Sequence, residues 1–139
     1  MPQEFTGEFP LAVEEGNLVF PSEWAFQQEL TVRIFSMKKY LKIMPIAEWM
    51  QILNILYKHP TSSTDFIVSV LLDASEIGSI ANGKLALSPK QLGHHALKNN
   101  TPFLVGVLTT FEVWDQADWK NHASHLKANQ QKVFENLGL

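Results

Sequence analysis

Residues 103–119, FLVGVLTTFEVWDQADW, carry the strongest indication of the fold. Apolar, β-forming residues at 103–107 and 111–114 flank the short segment 108–110, a pattern typical of a β-hairpin. Asp115 then stands where the N-cap of a helix belongs. The stretch therefore predicts a hairpin that leads directly into a helix, with Trp119, Ala123, Leu126, Val133 and Leu137 along its apolar stripe.

A similar arrangement occurs earlier in the chain. Residues 32–35 and 40–44 predict a hairpin that turns through 36–39, and Pro45 starts a periodic apolar pattern that ends near His59. Each hairpin is preceded by a Gly-led turn, a short strand and a proline near a helix start, at 16–21 and again at 83–89. The sequence therefore predicts an α+β fold of two pseudo-symmetric repeats, 1–62 and 63–139, each a strand, short helix, hairpin and helix.

The segment 66–72 is ambiguous. Ile67, Val68 and Val70 favour a strand locally, whereas residues 61–65 offer several helix N-caps. We predict a helix there.

Composition excludes several classes of protein. The chain of 139 residues is 45% hydrophobic, contains no Cys, and has neither a signal-peptide pattern nor an apolar run of the roughly 20 residues that span a bilayer. We expect an intracellular, cytoplasmic protein without a membrane partner. The net charge is −3, and residues 1–29 contain six acids and no Lys or Arg, so a nucleic-acid surface is expected from the second half.

The motifs in this order resemble the MraZ family, transcriptional regulators of the bacterial division and cell-wall gene cluster built from two AbrB-like swapped-hairpin repeats. The resemblance is carried by Leu104-Val105-Gly106, by Phe111-Glu112-Val113-Trp114-Asp115 with Trp119, and by Met44-Pro45-Ile46-Ala47-Glu48-Trp49 at the start of the first long helix. It covers most of the chain. It implies binding of double-stranded DNA at promoter repeats by a ring-like homo-oligomer, associated with the nucleoid.

The turns that the resemblance links to DNA differ from the family pattern. Each repeat of that family carries an Asp-x-x-Gly-Arg turn, whereas here the two turns read Val13-Glu14-Glu15-Gly16-Asn17 and Ile80-Ala81-Asn82-Gly83-Lys84. Both glycines suit a tight turn with positive φ. Lys84 and Asn17 are therefore the candidate DNA-contacting residues, with Lys38 and Lys39 at the first hairpin tip as further candidates.

No catalytic motif is present, and we predict neither an enzyme nor a cofactor. Asp118, His122 and His125 share one helix face, and His94 and His95 are adjacent, but three ligands on a single helix make an incomplete site, so no metal is predicted. The phases of Trp49, Trp114 and Trp119 point inward and favour packing over base stacking.

Two functions from different classes remain open. One is a DNA-binding regulator of the MraZ type. The other is a homo-oligomeric scaffold that has lost DNA binding and serves protein partners, which the absent Arg residues and the pI of 5.9 favour. A hydrolase or metalloenzyme has no support beyond Asp118, His122 and His125.

Overall fold

The computed structural model describes residues 4–24 and 29–139. In these ranges the chain forms a mixed α+β fold, which confirms the predicted fold class. The strands are β1 (Glu8–Pro10), β2 (Ala12–Glu14), β3 (Asn17–Val19), β4 (Leu30–Ser36), β5 (Tyr40–Pro45), β6 (Ser75–Ala81), β7 (Lys84–Ala86), β8 (Pro102–Val107) and β9 (Thr110–Asp115). The helices are α1 (Ile46–Lys58), α2 (Thr64–Asp73), α3 (Pro89–Leu92) and α4 (Gln116–Asn136), with a 3-10 turn at His95–Leu97.

One antiparallel sheet contains all the described strands, in the order β1-β8-β9-β5-β4-β6-β7-β3-β2. Strands β1 and β2 stand at opposite ends of this order, yet only Leu11 separates them in the chain. The segment 8–14 therefore pairs with β8 through its first half and with β3 through its second half. As a result the sheet nearly closes on itself.

The strands of the two repeats are exchanged within this sheet. Hairpin β4–β5 of the first repeat pairs with β6 and β9 of the second, while hairpin β8–β9 of the second pairs with β1 of the first. The boundary between repeats 1–62 and 63–139 stays a prediction, because the halves share one sheet.

The inner face of the sheet holds the main core. Its fully buried side chains come from both repeats, including Leu18, Ile34, Leu85, Leu104 and Phe111. The Phe5 ring meets Phe111 edge-on, with 4.8 Å between ring centroids. Each such side chain stabilises the fold by roughly 1.5–3 kcal/mol on burial.

A second cluster lies on the outer face, where α1 covers β4 and β5. Phe35, Met44 and Trp49 form its buried part. The only arginine of the chain, Arg33, is buried beside them: its Nε donates to Ser75 Oγ at 2.9 Å, and its guanidinium carbon lies 5.1 Å from the Trp49 ring centroid. A stacked guanidinium of this kind is attracted by the electron-rich ring face.

The three long predicted helices are confirmed. Helix α1 follows Pro45, and α2 spans the ambiguous segment because Val68 packs inward and Thr64 Oγ1 accepts a hydrogen bond from the Thr61 N–H at 2.8 Å. Helix α3 starts at Pro89 with a capping box of Ser88 and Gln91. The sequence also predicts a corresponding short helix after Pro21. Residues 25–28 of that helix lie outside the described ranges, and the described residues 22–24 form a turn.

The N-cap of α4 is Asp115, as the sequence predicts. Its Oδ2 accepts from the Asp118 N–H at 3.4 Å, and its Oδ1 accepts from Thr101 Oγ1 at 2.9 Å and Asn99 Nδ2 at 3.2 Å. Burial alone would raise the pKa of this carboxyl group, but the hydrogen bonds outweigh burial and lower the pKa below the ordinary Asp value. Asp115 is therefore a carboxylate at neutral pH.

The tryptophans follow the predicted packing with one difference. Trp49 and Trp114 are buried, whereas Trp119 is only half-buried. The Trp119 Nε1 donates to Glu8 Oε1 across the start of α4. Among the described residues, no helix combines the length and hydropathy needed to cross a membrane.

Candidate nucleic-acid interface

Two tight turns carry the candidate DNA-contacting residues. Glu15 and Gly16 join β2 to β3 with φ of 51° and 80°, and Asn82 and Gly83 join β6 to β7 with φ of 55° and 72°. Positive φ at both central residues is the mark of a type I′ hairpin turn. A Cβ built on Gly83 would meet nothing within 4 Å, so the backbone conformation, and not lack of space, requires glycine there.

Asn17 and Lys84 lie on the same face of one ladder. Strands β3 and β7 pair so that Asn17 is opposite Ala86 and Lys84 is opposite Val19. Leu18 and Leu85, which alternate with them, are fully buried. Because successive side chains point to opposite faces of a strand, Asn17 and Lys84 both project outward.

The side chain of Asn17 is engaged in its own turn. Its Nδ2 donates to the backbone oxygens of Glu14 at 3.2 Å and Glu15 at 3.3 Å. Both amide hydrogens are thus used locally, and reading an adenine through the same group would break these bonds.

Lys84 is placed differently. It is exposed, and its ammonium group has no hydrogen bond or ion pair in the part of the chain that the structure describes. Its neighbours across the ladder are Val19 and Ala81, which are small and uncharged. The Glu29 carboxylate, next to β4, accepts from Ser79 Oγ at 2.6 Å and makes no ion pair with Lys84. Among the described residues, Lys84 is thus a point charge without a hydrogen bond or ion pair, and its cross-ladder neighbours are uncharged.

Lys38 and Lys39 are exposed at the tip of hairpin β4–β5, away from Lys84. In the β4–β6 register Phe35 is opposite Ser75 and Leu30 is opposite Ile80. The tip therefore lies beyond the start of β6, whereas Lys84 follows its end, a separation of roughly 20 Å at the usual rise of a strand. The structure brings Asn17 and Lys84 together and leaves Lys38 and Lys39 apart.

A polar cleft of about 170 Å³ lies beside the hairpin tip. It is lined by Lys39, Trp114, Asp118, Asn121, His122 and His125. Here Asp118 Oδ2 contacts His95 Nε2 at 2.5 Å, and the His122 ring stacks on Trp114 with 4.8 Å between centroids. His94 Nε2 contacts the Met37 backbone oxygen at 2.6 Å.

These contacts involve four of the five residues that the sequence offers as possible metal ligands, and the fifth, His125, lines the same cleft. No group of three His, Cys, Asp or Glu residues within the described ranges could hold a metal ion. The pairing of His95 with Asp118 had no signal in the sequence, because the two residues lie 23 positions apart in different elements.

Aromatic and ionic contacts join β5 of the first hairpin to β9 of the second next to this cleft. Tyr40 stacks on Trp114 at 4.6 Å, and Lys42 Nζ pairs with Glu112 Oε2 at 3.1 Å. Burial, together with the Glu112 carboxylate, raises the pKa of Tyr40, so its phenol stays protonated at neutral pH.

No protein-family model matches the chain. The chain is similar to proteins named transcriptional regulator MraZ. It is 26% identical over 138 residues to the protein of Pediococcus pentosaceus, with 96% of each chain covered. It is 30% identical over 125 residues to the protein of Clostridium tetani, covering 85% of this chain and 86% of the relative. It is also 30% identical over 115 residues to the protein of Shewanella amazonensis, covering 76% and 75%.

Proposed function

This chain belongs to the MraZ family of transcriptional regulators, and from that premise we propose that it binds double-stranded DNA as a homo-oligomeric repressor. It is a regulator and not an enzyme. Its proposed targets are promoter repeats of a division and cell-wall gene cluster, and its proposed place is the cytoplasm, at the nucleoid.

The observation that carries DNA binding is the ammonium group of Lys84, which makes no hydrogen bond or ion pair with any described residue. A lysine among uncharged neighbours can approach a phosphate without breaking any bond that the described residues make. Asn17 beside it holds the first turn in shape through its two bonds to backbone oxygens. Lys84 therefore makes the phosphate contact, and Asn17 supports the surface on which that contact forms.

One lysine per protomer binds weakly, so the mechanism must be multivalent. Several protomers linked in one assembly present several such turns, and repeated DNA sites then raise the apparent affinity without any new contact. Lys38 and Lys39, roughly 20 Å from Lys84 along the sheet, contact phosphates elsewhere on the duplex. Repeats 1–62 and 63–139 each contribute one turn to the interface.

The test is binding of the protein to a duplex of its own upstream sequence, measured by fluorescence anisotropy over a salt series. Lys84→Ala should weaken binding to related and unrelated duplexes alike and lower the slope of log K against log salt by about one unit for each phosphate that Lys84 neutralises. Lys98→Ala, which removes another exposed lysine, is the matched control and should change neither quantity. An unchanged slope in Lys84→Ala would overturn the assignment of the contact.

The second candidate function is a homo-oligomeric scaffold that no longer binds DNA. The six acids among residues 1–29, and the absence of an arginine from both turns, favour it. Phosphate contacts are strongest at low ionic strength. A wild-type protein that binds no duplex at about 50 mM salt would therefore support the scaffold function instead.

A further inference from the structure

His94 connects the two predicted repeats at the tip of the first hairpin. Its ring nitrogen Nε2 lies 2.6 Å from the backbone oxygen of Met37. Met37 directly precedes Lys38 and Lys39, the two lysines of the tip. The contact therefore ties the tip of hairpin β4–β5 to the short segment between α3 and β8.

The partners of the His94 ring assign its proton. Nδ1 lies 3.0 Å from the Ala96 backbone nitrogen and accepts its hydrogen, which caps the 3-10 turn His95–Leu97. A carbonyl oxygen can only accept, so Nε2 must carry the hydrogen that is donated to Met37. One ring nitrogen thus serves the local turn, and the other reaches the hairpin tip.

The turn that carries His94 is firmly seated. Ala96 and Leu97 are buried among the hydrophobic residues of the molecule. The neighbouring His95 contacts the Asp118 carboxylate of α4 at 2.5 Å. A donor on a base that is held in this way can fix a mobile partner in place.

The hairpin tip is weakly closed by its own backbone. In the described chain, the bond that closes it runs from the Met37 N–H to the Tyr40 oxygen at 2.9 Å, and the described donor to the Met37 oxygen is His94. Lys38 and Lys39 are exposed and make no hydrogen bond or ion pair with any described residue. Without His94, a single backbone bond would close the tip.

We propose that His94 positions Lys38 and Lys39 for contact with DNA phosphates. The inference rests on the proposed function, in which this tip contacts the duplex away from Lys84. A lysine is a point charge on a flexible stem, so the place of its backbone decides which phosphate it can reach. A tip that is fixed before binding loses less conformational freedom on binding than a mobile tip, and the difference appears as affinity. His94 is a positioning residue, because it acts through Met37.

Two substitutions of His94 separate its two hydrogen bonds. His94→Asn keeps an acceptor for the Ala96 N–H, since Asn is a good capping residue, but its side chain is too short to reach Met37. His94→Gln keeps an N–H donor at the reach of Nε2 and gives up the cap. His59→Asn, which changes an exposed histidine at the end of α1, is the matched control.

Fluorescence anisotropy with the upstream duplex measures the effect on affinity. His94→Asn should weaken binding by about threefold to tenfold, as expected for ordering one or two long side chains on binding. His94→Gln and His59→Asn should bind as the wild type does. When Lys38→Ala and Lys39→Ala are already present, His94→Asn should have no further effect, because no lysine is left to position.

Three results would overturn the inference. One is a loss of affinity in His94→Asn that is equal with and without the two tip lysines, since a general structural defect would act in that way. The others are an affinity of His94→Asn equal to that of the wild type, and a His94→Gln variant that binds as weakly as His94→Asn.

Cleavage by trypsin reports the state of the tip without DNA. Trypsin cuts after lysines in mobile segments, so mass spectrometry can follow cleavage after Lys38 and Lys39, with cleavage after Lys58 as the internal reference. Loss of one hydrogen bond should speed cleavage at the tip by roughly threefold to tenfold in His94→Asn and leave it near the wild-type rate in His94→Gln. Equal rates in all three proteins would show that His94 does not hold the tip.

These outcomes are separate from the test of Lys84. If Lys84→Ala lowers the salt slope while His94→Asn changes neither affinity nor cleavage, the positioning role is wrong and the regulator function stands. If the variant without both tip lysines binds as the wild type does, the tip contacts no phosphate, and the inference fails with the Lys84 contact intact. A wild type that binds no duplex overturns the proposed DNA binding and, with it, the role of His94.

Discussion

At the level of single residues, Asp115 joins the second hairpin to the last helix. Its carboxylate receives hydrogen bonds from Thr101, Asn99 and the first turn of α4. Asp115→Ala removes the cap and leaves these donors without their acceptor, so the free energy of unfolding should fall by about 1–2 kcal/mol. Urea denaturation at pH 7 measures this change. Asp118→Ala, which keeps the Asp115 cap, should cost less, and equal losses in the two variants would contradict the assignment.

The same carboxylate predicts a pH dependence. Its pKa is lowered in the folded state, so its contribution to stability is complete above the ordinary Asp pKa of about 3.9 and is lost as the pH falls through the lower folded value. The difference in urea midpoint between the wild type and Asp115→Asn should therefore be smaller at pH 3 than at pH 7. A difference that is the same at both pH values would show that the charge of Asp115 does not stabilise the fold.

Gly83 and Gly93 make a matched pair for testing the turn that presents Lys84. Gly83 has φ of 72°, whereas Gly93 has φ of −85° and its nearest atoms to an added Cβ lie at an ordinary 3.7 Å. Gly83→Ala should lower the free energy of unfolding by about 1 kcal/mol or more, while Gly93→Ala should be neutral or slightly stabilising. Thermal unfolding of both variants checks the difference, and equal effects would argue against strain at the turn.

At the level of elements, the sequence predicts those whose signals are local. The period after Pro45 and the cap at Asp115 locate α1 and α4, and the two hairpins follow from alternation around short turns. Helix α2 is harder, because its β-branched residues favour a strand locally and the packing of Val68 decides for a helix.

Side-chain partners from distant elements had no such signal. Asn17 looked free to read a base, yet it bonds to its own turn, and Asp118 is held by His95 from another element. The candidate site could be predicted as a set of turns and charges. Whether each of these side chains is already hydrogen-bonded could be decided only from the folded structure.

Helix α4 leads to a prediction of its own. Residues beyond Ser124 are exposed, so deleting 127–139 should remove little stability from a single protomer. If these residues contact a neighbour, the melting temperature of the wild type rises with protein concentration, and that of the shortened chain does not. Scanning calorimetry over a hundredfold concentration range measures both, and a concentration-independent wild type would contradict the contact.

At the level of the whole molecule, the exchange of strands makes the halves interdependent. Fragments 1–62 and 63–139 each lack the hairpin or strand that covers their part of the core. Each fragment alone should be largely unfolded by circular dichroism, and an equimolar mixture should recover native signal, because the cut lies in the exposed residues between α1 and α2. A fragment that unfolds cooperatively by itself would show that the repeats are independent domains.

The segment 8–14 has a consequence for solubility. By pairing with β8 at one end and β3 at the other, it leaves at the two ends of the strand order only the outer sides of the three-residue strands β1 and β2. Among the described strands, β6 also has no strand partner on its β7 side over residues 75–79. Long open edges are templates for adding foreign strands and for fibrous aggregation. The segment thus keeps the edges at both ends of the strand order short, and we expect this to hinder amyloid-like growth from these two edges at high protein concentration.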